Sequence, residues 1–145
     1  MAVKLLLIRH GESEGNVNRK FCGFQDVKLT EKGIWQAKRL AQRLREVKVD
    51  AVYCSNLSRA RHTAEIVFQN RGININIVPQ LKEMNFGEWE GFNFEEVKLK
   101  FGYEEYFHNW PENIDVKAAI PQGESIFQLN ERVTKALNEI GRAHV

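Results

Sequence analysis

Three short apolar runs, "VKLLLI" (3–8), "DAVYCS" (50–55) and "INIVP" (75–79), alternate with stretches whose apolar residues recur at helical spacing. Short, nearly uninterrupted apolar runs predict strands covered on both faces. In the first intervening stretch, "LTEKG" predicts a helix start, with Thr30 as N-cap and Leu29 and Ile34 at staple positions. Ile34, Ala37, Leu40, Ala41, Leu44 and Val47 then share one face. The second, "NLSRARHTAEIVFQNRG", turns Leu57, Ala60, Ala64 and Val67 inward and ends at Gly72. A strand–helix–strand–helix–strand order with right-handed crossovers implies an α/β fold: a mostly parallel sheet with helices on its faces, three layers in all.

The rest of the chain is less regular. From 81 to 121 it is rich in aromatic residues, with short helices expected over 94–101 and 103–110. A last helix begins near Gly123 and carries Ile126, Leu129, Val133, Ala136 and Leu137 inward. At 145 residues the chain suits a single domain. Its 21 basic and 19 acidic residues are too balanced to argue for a nucleic-acid or membrane partner. Cys22 and Cys54 have no metal-like or redox-like spacing and read as reduced thiols. The N-terminal apolar run is too short for a signal peptide, and no stretch approaches a membrane span, so the expected location is the cytoplasm.

In open α/β sheets ligands bind beyond the carboxyl ends of the strands. The first run ends in Arg9-His10-Gly11, with Asn16 in the loop that follows. The second ends in Ser55, with Arg59 in the first turn of the next helix, and the third ends at Pro79, with Glu83 shortly after. Two arginines, a histidine and a glutamate are thus gathered on one sheet edge. Arginines grip phosphate oxygens through paired, charge-assisted bonds, helix N-termini add amide donors, and Asn16 offers a neutral one. His10 is then a proton shuttle or a nucleophile, and Glu83 an acid and base toward the leaving alcohol and water. Taken singly, each residue has a plainer reading: a capped strand end, a helix-surface arginine, a loop carboxylate. Only their joint recurrence after three runs favours an anion site. His62, Arg61 and His108 read as surface or aromatic-cluster residues, and Trp89 and Trp110 as core. No His, Cys or carboxylate spacing suggests a metal, and no cofactor is expected.

At this point a resemblance is plain. "LIRHGESEGN", "YCSNLSRARHTAEIV", "LKEMNFGEWEG" and "PQGES" resemble, in order, the blocks of the histidine phosphatase (phosphoglycerate mutase-like) superfamily. The resemblance implies that His10 is the phosphorylated nucleophile and Glu83 the proton donor. It assigns Arg9, Asn16 and Arg59 to the phosphate pocket, and Gly11, Glu124 and Ser125 to its rim. The third block, and the compact stretch to "PQGES", are similar to the small phosphatase branch that includes alpha-ribazole phosphatases. The implied activity is metal-independent hydrolysis of a small phosphorylated substrate. A cofactor-dependent phosphoglycerate mutase and a non-catalytic phospholigand module are the alternatives.

One part of the family pattern is missing. The superfamily carries a second catalytic histidine in a Ser-His-Gly context after a further strand, and no such motif occurs here. His144, the one late histidine, follows a helix end in "EIGRAHV" and does not fit that context. That tail can be back-translated as GAG ATC GGA AGA GCA CAC GTC, which apart from its first base matches a common sequencing adapter. On that reading residues 140–145 are a non-native tail on a domain incomplete at its C-terminus; a genuine short tail or a partial domain is the alternative.

Overall fold

A computed structural model describes residues 3–101 and 115–145. Its helices are α1 (Glu14–Val17), α2 (Glu31–Arg43), α3 (Ser58–Phe68), α4 (Phe94–Phe101) and α5 (Ile126–Arg142), and its strands β1 (Val52–Cys54) and β2 (Ile75–Ile77). Single 3-10 turns lie at Pro79–Leu81 and Gly87–Trp89. The helix expected over 103–110, with His108 and Trp110, falls outside the described residues.

The helix signals act as chemistry requires. The Thr30 hydroxyl accepts the Gly33 amide at 3.1 Å, capping α2 as expected. Glu31 in its first turn and Arg43 in its last suit the helix dipole. Ala37 and Leu44 are buried on its inner face with Ile34 and Leu40 packed beside them. Val47 lies beyond the helix end and is exposed. Helix α3 ends at Phe68, short of Gly72, because the chain turns away through left-handed backbone at Asn70 (φ 62°) and Gly72 (φ 64°).

β1 and β2 pair in parallel with Val52 opposite Ile75 and Cys54 opposite Ile77. Helix α3 packs on this pair and α2 packs on α3, closing a core around Ala37, Val52, Cys54, Ala64 and Val67. A second, aromatic core holds Trp89, Val97 and Ile120 with Phe21, Met84, Phe86, Phe92 and Phe101 against them. Trp89 is only 2% exposed, in keeping with a core residue. On α5, Ala136 is buried and Ile126, Leu129, Val133 and Leu137 are half-buried. The helix packs on the Pro79–Leu81 turn. Past its end, His144 Nε2 lies 2.8 Å from the Tyr53 hydroxyl.

One expectation is corrected. Residues 3–8 form no strand, and Leu5, Leu6, Leu7 and Ile8 are exposed, Leu7 by 78%. Apolar composition favours burial, but a strand exists only through ladder bonds to a neighbour. Among the described residues β1 and β2 pair with each other, and no strand flanks 3–8. The segment after it is nevertheless firmly placed. The Gly11 amide donates to Thr63 Oγ1 on α3 at 3.1 Å, and the Thr30 amide donates to the Glu12 carbonyl at 2.9 Å. A Cβ on Gly11 would overlap the Gly33 carbonyl, and one on Gly33 the Glu12 carbonyl. The two glycines let the loop after His10 lie directly on the first turn of α2.

Candidate active site

The residues expected at the sheet edge meet in one cleft of about 150 Å³. Arg9, His10, Asn16, Arg59 and Glu83 line it, together with Ser13, Gly15, Lys20, Phe21, Cys22 and Phe86. His10 reaches it from the loop pinned to Thr63, Arg59 from the first turn of α3, and Glu83 from just past the Pro79–Leu81 turn.

His10 is half-buried, and its Nδ1 lies 2.7 Å from the Gly11 carbonyl oxygen. A carbonyl only accepts, so Nδ1 carries the proton and Nε2 the lone pair. Burial lowers the pKa of this imidazole. The Gly11 carbonyl opposes that, the Arg59 and Arg9 cations add to it, and Glu83 pulls the other way. The net direction favours the neutral ring.

Asn16 is oriented by its own helix start. Its Oδ1 accepts from the Ser13 amide and the Ser13 hydroxyl, both at 2.9 Å, and its NH₂ has no partner among the described residues. Arg9 is exposed and makes no ion pair among the described residues.

Arg59 is 3% exposed and is tied to backbone. Its Nη2 donates to the Cys22 and Gly23 carbonyls at 2.8 Å each, and its Nη1 to the Gln25 carbonyl at 3.0 Å. Of the five guanidinium donors, three are used among the described residues, which leaves two for a ligand. At the N-terminus of α3 the first amide is already engaged. Asp26 accepts the Ser58 amide at 2.7 Å and the Ser58 hydroxyl at 2.6 Å.

The expected rim residues lie elsewhere. Gly11 supports His10 from behind. Ser125 is the buried N-cap of α5. Glu124 makes a two-pronged pair with Arg132, Nε to Oε1 at 2.7 Å and Nη2 to Oε2 at 2.8 Å, and accepts the Asn85 amide. Although its partial burial opposes ionisation, the bonds from Arg132 and Asn85 hold its carboxyl below the usual range. Arg132 also donates to the carbonyls of Gln80, Lys82 and Glu83, so it braces the segment that presents Glu83. His62 and Arg61 lie on the exposed side of α3, Arg61 paired with Glu65. His144, on Tyr53, is not among the lining residues. Sequence reasoning did not assign Lys20, Cys22 or Arg132. The first two sit in a loop without periodicity, and the third looks like any exposed arginine on an amphipathic helix.

The sequence from 5 to 145 matches the family model of the histidine phosphatase superfamily (branch 1). The chain belongs to this superfamily. It is 39% identical over 140 residues to an adenosylcobalamin/alpha-ribazole phosphatase of Salmonella typhi, covering 96% of this chain and 67% of that protein. It is 37% identical over 135 residues to a protein of Escherichia fergusonii named "Probable phosphoglycerate mutase GpmB", covering 93% of this chain and 61% of that one. The solved alpha-ribazole phosphatase of Shigella flexneri superposes with a TM-score of 0.83 at 35% identity, covering 94% of this chain and 66% of that chain. A 50%-identical match to the Salmonella typhimurium adenosylcobalamin/alpha-ribazole phosphatase spans 88 residues, 44% of that protein. This chain therefore spans between 44% and 67% of the length of these curated relatives. The α/β fold with its parallel strand pair is the phosphoglycerate mutase-like fold of the solved relatives.

Proposed function

We propose that this chain carries the phosphoryl-transfer site of a phosphomonoesterase working through phosphohistidine on a small phosphorylated substrate. The observation that carries this reading is the His10 imidazole: Nδ1 held by the Gly11 carbonyl, the ring kept toward its neutral form, in a cleft shared with Arg9, Asn16, Arg59 and Glu83. The Nε2 lone pair attacks phosphorus and an N–P bond forms as the P–O bond to the alcohol breaks. Glu83 gives its proton to the departing oxygen. Glu83 then takes a proton from water, the water oxygen attacks phosphorus, the N–P bond breaks, and its electron pair returns to Nε2. Arg9, Asn16 and the two remaining Arg59 donors stabilise charge on the phosphoryl oxygens. Phe21 and Phe86 give the leaving-group side an aromatic wall, which suits a partly apolar alcohol. Alpha-ribazole phosphate is the first substrate to try, and a phosphoglycerate the control for mutase activity.

The test is hydrolysis of p-nitrophenyl phosphate by this chain and by one extended to the relatives' full length, each with and without His10→Ala. Quenching in alkaline SDS should trap a phosphoprotein, stable to base and labile to acid, only when His10 is present. The alanine is expected to lower turnover about 10³-fold or more. Turnover that survives the alanine rules out the nucleophile assignment, and phosphate passing to a sugar acid rather than water favours the mutase reading.

A further inference from the structure

The turn at residues 22–25 is held from both sides by opposite charges. On one side the Arg59 guanidinium takes three of its carbonyls, those of Cys22, Gly23 and Gln25. On the other side Glu90 takes its amides. Glu90 Oε2 accepts from Gly23 at 3.0 Å and Gln25 at 3.1 Å, and Oε1 from Phe24 at 2.7 Å. Oε1 also accepts the Phe86 amide at 3.1 Å, so the same carboxylate joins the turn to the 84–90 segment. The contact leaves no room for a side chain at Gly23, where a Cβ would overlap the Met84 carbonyl and come within 2.8 Å of Glu90 Oε1. Paired backbone bonds between Phe21 and Phe92 and between Gly91 and Phe21 continue the seam, at 2.9 and 2.8 Å.

Both edges of this seam face the cleft. Phe21 and Cys22 line it from one strip of chain and Phe86 from the other, while Glu90 itself does not. Bonds to an ionised group are about twice as strong as neutral ones, and here one carboxylate makes four. We infer that Glu90 is a positioning residue: with Arg59 it clamps the 22–25 turn onto the 84–90 segment and so sets the width of the cleft over His10. The inference rests on the phosphate-site reading above. It adds that the phosphate grip of Arg59 depends on a carboxylate that never meets the ligand. Without Glu90 the four amides lose their acceptor, the turn lifts from Phe86, and the guanidinium that follows the turn's carbonyls moves with it.

Amide exchange by NMR and titration with inorganic phosphate test this on the wild-type chain, Glu90→Gln and Glu90→Asp. In the wild type the amides of Gly23, Phe24, Gln25 and Phe86 are expected to be protected together. In Glu90→Gln all four should exchange about tenfold faster or more, with α3 protection unchanged, and phosphate affinity should fall by a similar factor, the loss expected for bonds to a charged group. Glu90→Asp keeps the charge with a shorter reach and should fall between. A folded Glu90→Gln with unchanged exchange at those four amides, or with faster exchange but undiminished phosphate affinity, overturns the inference. If the variants do not fold, the wild type decides. Saturating phosphate should slow exchange of the four amides as a group, and no change on saturation overturns the inference. A wild type that binds no phosphate while its four amides stay protected overturns the phosphate reading and leaves the clamp standing.

Discussion

The proton placement on His10 sets what the residue can do. Nδ1 is committed to the Gly11 carbonyl, and burial favours the uncharged ring, so Nε2 offers its lone pair without a separate base. The lowered pKa has a definite pH signature. Between the folded value and 6.5 the unfolded chain binds the extra proton and the folded chain does not, so this group's contribution to stability is present above 6.5 and is lost as pH falls through the folded value. For turnover, the acid limb of log kcat/KM is expected below 6.5 in a pH profile against p-nitrophenyl phosphate. A limb above that value contradicts the burial argument.

Among the elements, α2 and α3 do more for the cleft than the strands do. The legible parts of the fold were those with a local signal. Thr30 caps α2, apolar spacing places its inner face, and Ser125 caps α5 where the last helix was expected to begin. That Arg9, His10, Asn16, Arg59 and Glu83 share one cleft was legible because each follows an apolar run at a set distance. Arg132 and Glu90 were not, because the segments they hold are reached through backbone groups up to 67 residues away, and no periodicity encodes such bonds. Gly33 shows the same limit with a sign attached. Alanine for glycine inside a helix ordinarily gains about 1 kcal/mol. Here the added methyl meets the Glu12 carbonyl, so Gly33→Ala should instead lose about 1–3 kcal/mol, read as a lower urea midpoint. An unchanged or raised midpoint contradicts the close approach.

At the scale of the whole molecule, the misread segment is the instructive one. The run 3–8 is as apolar as any strand, yet its side chains face outward and its backbone has no ladder beside it among the described residues. Apolar sequence states what a segment tends toward, while a sheet also needs neighbours that only the assembled fold supplies. Two leucines measure the difference. Leu7→Lys, at 78% exposure, should change unfolding free energy by less than about 0.5 kcal/mol in urea titrations. Leu57→Lys, at 5% exposure, should prevent folding. A strongly destabilising Leu7→Lys places that side chain in a packed core.

The burial of Arg59 has a further consequence, for ionic strength. Its bonds to the Cys22, Gly23 and Gln25 carbonyls lie away from bulk water, where dissolved ions screen weakly. Arg9 and Lys20, which also face the cleft, are exposed and within reach of counterions. Rising salt should therefore weaken the attraction that draws an anion in and leave the shape of the place that receives it unchanged.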